Sequence, residues 1–323
     1  MTMLQVAGAT NGATAVETLL NPSRLAIPAF VLNCPFSYST EQANNAWMQE
    51  LTPQARTVDQ RKALRQWLEL YHFLAAEALV YVLPTPAGAQ LQDLTFTANV
   101  AVVPEHVPER DIVIVSNFTS EPRIGEAAVA VRFFESMGYR TFVAPHKFEG
   151  DAEIKHLHDN VYVGGFGIRS EVAAYHWMEE TFGMKVITLE ETDEYLYHLD
   201  CTVFPLTRED TLVCTEAYER AEVAQLEKHT NVRDVSFDLC LAGICNSVRL
   251  NNAILNASHI YDLKANSDEY KAELAKNRQL EDIACELGLE VCYFNLSEFH
   301  KGGALLSCLV MHLNRNSYEF RLL

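Results

Sequence analysis

The sequence predicts a mixed α/β fold built from similar modules within one domain. Three observations point there: short β-rich runs alternate with helical patterns along most of the chain, strand pairs separated by a single helix recur four or five times, and no low-complexity linker interrupts them. No repeat is visible residue by residue, so the modules are expected to be alike in structure only.

Residues 1–25, rich in Ala, Thr, Gly and Asn without a clear period, are expected to form a flexible N-terminal arm, and residues 26–323 a single domain. The first strand is expected over Ala29–Asn33. A helix opening at Thr57, with capping-box spacing to Gln60, places Leu64, Trp67, Leu68, Tyr71 and Leu74 on one stripe. Strands over Leu79–Leu83, Thr95–Val103 and Ile112–Ser116 lead to a helix over Gly125–Met137, followed by strands over Arg140–Val143 and Val161–Gly164. A helix over Ser170–Phe182, stopped by Gly183, precedes strands over Lys185–Leu189 and Cys201–Leu206 and a helix over Glu216–Lys228. A long helix over Asp268–Leu287 carries Tyr270, Leu274, Leu280, Ile283 and Leu287 at helical spacing and stops at Gly288. Strands over Glu290–Asn295 and Leu305–Leu313 complete the pattern.

Composition narrows the function classes. The 323 residues are 49% apolar and 21% charged, which supplies a core and excludes a disordered or fibrous chain. No run approaches ~18 consecutive apolar residues, and Met1–Leu25 lacks a basic segment followed by an apolar one, so neither a membrane span nor a secretory signal is expected and the cytoplasm is the expected location. A net charge of −18 repels a phosphate backbone, which argues against nucleic acid and admits a cationic small substrate. Taken alone, the charge is more simply read as a surface that keeps the protein soluble, and a scaffold for a basic partner would rest on charge alone. The eight cysteines (34, 201, 214, 240, 245, 285, 292, 308) contain no C-x-x-C pair, and Cys240 and Cys245 have no second pair at zinc spacing. Neither a disulfide framework nor a metal site is expected.

Polar residues in unusual places cluster in five segments. These are Asp93-Leu-Thr-Phe-Thr-Ala-Asn99, entering an apolar strand; Glu121-Pro-Arg123-Ile-Gly-Glu126, opening a helix; His146-Lys-Phe-Glu149-Gly-Asp151, after a strand; Gly164-Gly-Phe-Gly-Ile-Arg169-Ser; and Tyr197-His198-Leu-Asp200-Cys-Thr-Val-Phe with the late Lys301-Gly-Gly-Ala-Leu-Leu-Ser-Cys308-Leu. Singly, each has a simpler structural reading. Gly164–Gly167 lacks the endings of a phosphate loop or a dinucleotide turn, and a cysteine inside an apolar run is usually a small core residue. Together, a Cys after Gly-Gly, a His-x-Asp and a Glu-Gly-Asp supply the parts for thiol chemistry on a cationic group.

In this order the segments resemble the guanidino-group-modifying enzymes: arginine deiminases, dimethylarginine dimethylaminohydrolases, amidinotransferases and arginine dihydrolases. The resemblance runs from about Ala29 to Arg315. It implies a five-bladed α/β propeller (pentein) of ββαβ modules. Asn45-Ala-Trp47-Met48, Phe96-Thr-Ala-Asn99 and His198-Leu-Asp-Cys-Thr-Val-Phe-Pro-Leu206 look closest to the arginine dihydrolase module that is fused to an ornithine cyclodeaminase in some bacteria. That partner is not expected here, since the chain stops about 15 residues after Cys308. The family implies Cys308 as nucleophile, His198 as general acid/base and Glu149 as the carboxylate beside them. Asp200 would grip a guanidinium nitrogen, and Arg123 and Arg169 the substrate's α-carboxylate. Asp93, Asn45 and Asp151 complete the expected substrate contacts. Asn99 stands where deiminases and dimethylaminohydrolases have Asp, a departure shared with the dihydrolases. Glu149-Gly-Asp151 is one residue shorter than the common Glu-Gly-Gly-Asp.

These residue types suit the chemistry without the family. Flanking carboxylates keep a guanidinium cationic, and its carbon electrophilic. At about 4 Å and an effective dielectric near 20, one such ion pair is worth roughly 4 kcal/mol. The bound cation also favours the thiolate. Together with the resemblance, the sequence points to a Cys-dependent hydrolase of free L-arginine, acting through a covalent amidino-thioether and releasing ornithine, carbon dioxide and ammonia. A citrulline-forming deiminase, an amidinotransferase and a catalytically silent arginine sensor are the alternatives. No cofactor is implied, and a homo-oligomer is compatible with the sequence.

Overall fold

Among the described residues, five three-stranded sheets follow one another, each an antiparallel strand pair plus a parallel third strand reached through a helix. The computed structural model describes residues 21–320. In chain order, β1 (Ala29–Leu32) pairs in parallel with β2 (Leu79–Val82) across the helix Gln60–Glu77. The next blade holds β3 (Ala101–Val102), β4 (Ile112–Val115), the helix Glu126–Ser136 and β5 (Arg140–Val143). Then come β6 (Ile154–His158), β7 (Val161–Phe166), the helix Val172–Phe182 and β8 (Lys185–Glu190). The following blade has β9 (Val203–Pro205), β10 (Asp210–Val213), the helix Arg220–Leu226 and β11 (Asn231–Asp234). The last full blade has β12 (Ser247–Leu250), β13 (Ala253–Ala257), the helix Asp268–Glu286 and β14 (Glu290–Phe294). Finally β15 (Met311–His312) returns to pair antiparallel with β1, setting Phe30 opposite His312. This seam gives the first blade its third strand and makes five ββαβ modules.

The parallel pairs need the crossover helices, and the helices cover the sheets. Apolar side chains gather between neighbouring blades. Phe30 and Leu32 pack with Trp67, Leu70 and Leu74 of their own helix and with Val248, Leu250 and Leu255 of the adjacent blade. Ala29 and Val31, on the opposite face of β1, join Val113, Val115, Val129 and Phe134. Each large apolar side chain so buried stabilises by about 1.5–3 kcal/mol.

Several expected elements are revised. The helix expected from Thr57 begins at Gln60, and its cap is Asp59, whose carboxylate accepts from the Arg61 and Lys62 amides. The helix expected over Glu216–Lys228 is confined to Arg220–Leu226, because Glu219 and Glu222 form a capping box there. Two expected strands contain a 3₁₀ turn before a short strand, Thr97–Asn99 and Ser307–Leu309, and a third starts on the last residue of one, Leu199–Cys201. Besides β9–β10, whose second strand the sequence pattern lacks, two tight hairpins escaped it. Their two-residue turns are Asp159-Asn160 and Asn251-Asn252, with Asp159 at φ 43° and Asn251 at φ 49°, backbone that Asp and Asn tolerate best among non-glycine residues. Of the expected arm, residues 1–20 lie outside the described residues. Asn21–Leu25 belong to the folded ring: Pro22–Arg24 form a 3₁₀ turn, and the buried Ser23 hydroxyl is 2.6 Å from that of Tyr139. No described helix is long and apolar enough to cross a membrane.

Candidate active site

In every blade the residues just before the first strand are polar and buried. Asn99 ends the turn before β3, Glu149 and Gly150 open the turn before β6, His198 and Asp200 lie before β9, Asn246 directly precedes β12, and Cys308 sits before β15. Hydrogen bonds join these five turns at one place. Gly150 permits the closest approach: at φ 66°, a Cβ there would stand 2.6 Å from the Ala98 carbonyl oxygen, so only glycine lets the Glu149 turn lie against the Asn99 turn.

Cys308 is buried, with the Asn246 amide nitrogen 3.4 Å and the nearer Asp200 oxygen 3.9 Å from its sulfur. Asp200 is fixed by the Ser307 hydroxyl, which donates to it at 2.6 Å, and Asn246 by the Ser307 amide at 2.8 Å. Burial pushes the thiol up to about 12, and the Asp200 carboxylate adds to the rise. Without a cation beside it the sulfur is therefore a thiol.

His198 points Nε2 at Glu149 Oε2, 2.8 Å away, with the Asn99 amide 3.2 Å from the same nitrogen. Glu149 is completely buried. Burial raises its pKa, but Arg169, His198 and Arg123 outweigh burial and bring it down to about 2. Arg169 Nη1 lies 3.4 Å and Arg123 Nη1 3.6 Å from its oxygens. Glu149 thus stays ionised and orients the imidazole, its Nε2 proton directed at the carboxylate. Arg123 is held from behind by Glu126 at 2.8 Å and stacks over Phe118, while Arg169 donates to the Asn44 carbonyl at 2.7 Å and stacks over Tyr197.

Asp93, Asn99, Arg123, Arg169, His198 and Cys308 line one cavity, with Asn44, Asn45, Phe96 and Tyr197 among its other walls. Glu149 and Asp200 stand immediately behind His198 and Cys308. Asp93 is buried, which raises its pKa against the pull of Arg123 and Asn44. Asn45 borders the cavity, but its amide is committed: it accepts from Met48 N at 2.9 Å and donates to the Gly302 carbonyl at 2.9 Å, so it caps a helix and secures the Gly-Gly turn. Asp151 is the correction. It faces away from the cavity and forms a buried ion pair with Arg315 and a 2.8 Å hydrogen bond with His312 Nδ1. Sequence reasoning missed Asn246, whose only signal is its position ahead of a strand pair that was itself overlooked. Among the described residues no group of three or more His, Cys, Asp or Glu is arranged to hold a metal ion.

No family model matches the chain. It is 25% identical over 287 residues to the bifunctional arginine dihydrolase/ornithine cyclodeaminase AgrE of Nostoc sp., covering 88% of this chain and 37% of that protein. It is equally 25% identical over 289 residues to the N(G),N(G)-dimethylarginine dimethylaminohydrolase of Mycobacterium tuberculosis, covering 88% and 85% of the two chains. These relatives are members of the guanidino-group-modifying superfamily. The superfamily's pentein fold is matched directly. The N-terminal domain of ArgZ bound to product, described as a cyanobacterial arginine dihydrolase, superposes with a TM-score of 0.76 at 24% identity over 89% of this chain and 97% of that domain. The chain spans little more than a third of the bifunctional superfamily members it matches.

Proposed function

We propose that this chain hydrolyses free L-arginine with two waters to ornithine, carbon dioxide and two ammonia molecules. The observation that carries this reading is the convergence on one cavity of Cys308, His198 and a neutral Asn99, with Asp200 and Glu149 fixed directly behind them. Its relatives AgrE and ArgZ are described as arginine dihydrolases.

In this mechanism the guanidinium enters beside Cys308 and replaces the cation that the buried thiol lacks. Its charge lowers the thiol pKa, and the Asn246 amide donates to the sulfur as the negative charge forms. Cys308 attacks the central carbon, ammonia leaves with a proton from His198, and His198 then activates water against the amidino-thioether. A second round on the ureido group releases the second ammonia and leaves a carbamate that loses carbon dioxide.

Incubation with arginine, with citrulline, ornithine and ammonia quantified together, tests the reading. Ornithine with two ammonia per arginine is expected, and citrulline with one would make the chain a deiminase. Asn99→Asp is expected to move the product toward citrulline, because a carboxylate favours the cationic substrate over the neutral ureido group by a few kcal/mol. An unchanged product ratio would remove Asn99 from this role.

The α-carboxylate is assigned to Arg123 and Arg169, the two cations on the cavity wall. Arg169→Ala should raise KM for arginine roughly tenfold or more beyond its effect on agmatine, which lacks the carboxylate. Arg123→Ala should discriminate in the same sense and also cost stability, since it leaves Glu126 buried without its partner. Equal losses on both substrates would make these arginines purely structural.

A further inference from the structure

Beneath the His198–Asp200 turn lie two acidic side chains that the proposed mechanism does not use. Glu153 is 0% and Glu191 5% exposed. Glu153 Oε2 accepts the Leu199 amide at 3.2 Å and so holds the residue between His198 and Asp200. Its other oxygen and both oxygens of Glu191 are buried with no donor among the described residues. The two carboxyl groups face each other. Gly165 makes the room, since any Cβ there would collide with Glu191 Oε1.

Around the pair stand Glu149 on the adjoining turn, His198 and Asp200 above, Tyr175 from the helix Val172–Phe182, and Tyr218 after β10. The Tyr175 hydroxyl is spent on backbone, donating to the Glu153 carbonyl at 3.0 Å, and that of Tyr218 on Thr202. Of these groups only His198 can carry a positive charge. Two facing carboxylates without donors would each bear the cost of burial and repel each other. One shared proton turns the orphaned oxygens into a donor and an acceptor.

We propose that Glu153 and Glu191 act as one carboxyl–carboxylate pair that shares a single proton, keeps one negative charge under the His198–Asp200 turn, and supports the imidazolium that forms during turnover. Burial in addition drives the proton affinity of both carboxyl groups upward. Both are positioning residues: they act through Leu199 and His198 and touch no substrate. The kinetic consequence rests on the hydrolase reading, whereas the protonation state does not.

The test uses the full chain and the isosteric variants E191Q and E153Q/E191Q. Infrared difference spectra of wild type against E191Q should show a protonated-carboxyl C=O band in the wild type that E191Q lacks, whatever the enzyme's substrate. In ammonia release from arginine, the alkaline fall of kcat, where the pair loses its last proton, should move up by at least one pH unit in E191Q, whose amide is a permanent neutral partner. The double variant, neutral at both positions, should lose about tenfold in kcat with KM within twofold. A space-filling role would leave this isosteric variant at the wild-type rate. Absence of the infrared band, or a double variant within twofold of wild type at every pH, would overturn the proposal.

Discussion

Cys308→Ser is expected to lower kcat for arginine by on the order of 10³-fold or more while leaving the melting temperature within a few degrees of wild type. An alcohol is far harder to ionise than a thiol, and the cation that would help a thiolate form cannot produce a useful fraction of alkoxide. The fold should not notice, because Asn246 and Asp200 can hydrogen-bond an oxygen at the position where they meet the sulfur. Ammonia release and a thermal melt on the same preparation check both halves. The sulfur that competes for the role is Cys201, 3.7 Å from the other Asp200 oxygen. Cys34, Cys240 and Cys285 should tolerate alanine with no loss of rate. Near-normal turnover by Cys308→Ser would transfer the nucleophile to another cysteine.

Asp151→Asn should have the opposite profile. It neutralises the only carboxylate that pairs with Arg315 among the described residues and weakens the bond to His312, and breaking a buried pair by removing one partner costs about 3–5 kcal/mol. The loss should appear in denaturant or thermal unfolding at neutral pH. The acid dependence follows from two depressed groups. Asp151 is buried, yet Arg315, Lys155 and His312 hold its carboxyl far below the usual range, so its contribution is complete above the unfolded pKa and fades as pH falls toward the folded one. Burial and Arg315 lower His312 to about 4, so its neutral form, too, favours the fold above its unfolded pKa of about 6.5 and loses that advantage as pH drops toward 4. Wild type should therefore lose stability on acidification, and the gap between wild type and Asp151→Asn should narrow. A variant as stable as wild type at pH 7 would return Asp151 to the expected substrate contacts.

The sequence was most legible where one side chain did one job. Helices with a clear apolar stripe, such as Gln60–Glu77 and Asp268–Glu286, were placed within a few residues of their observed ends, and β5 was placed at its observed bounds. One edge strand was not legible: Asn231-Val-Arg-Asp234 is polar and half exposed and carries no period. The hairpin over Ser247–Ala257 was hidden because its turn is Asn-Asn rather than a glycine pair. At the site, Cys308, His198, Asn99 and Arg169 stood out as polar residues in apolar or glycine-rich surroundings. Asp151 misled because a carboxylate two residues from Glu149 looks the same in sequence whether it faces the cavity or the ring seam. Asn246 was silent because its meaning lies in its place in the module and not in a motif.

The seam between β15 and β1 has a kinetic meaning. Phe30 and His312 are about 280 residues apart, so bringing them together costs roughly 5 kcal/mol of chain entropy that no local contact offsets. Cys308 lies three residues before that joining strand and reaches its place between Asn246 and Asp200 only once the ring has shut. The nucleophile is therefore among the last groups to be installed in the growing structure. A half-made ring, with several blades already formed, carries a histidine and its carboxylates but not the Cys308 sulfur that completes the site once its two ends meet.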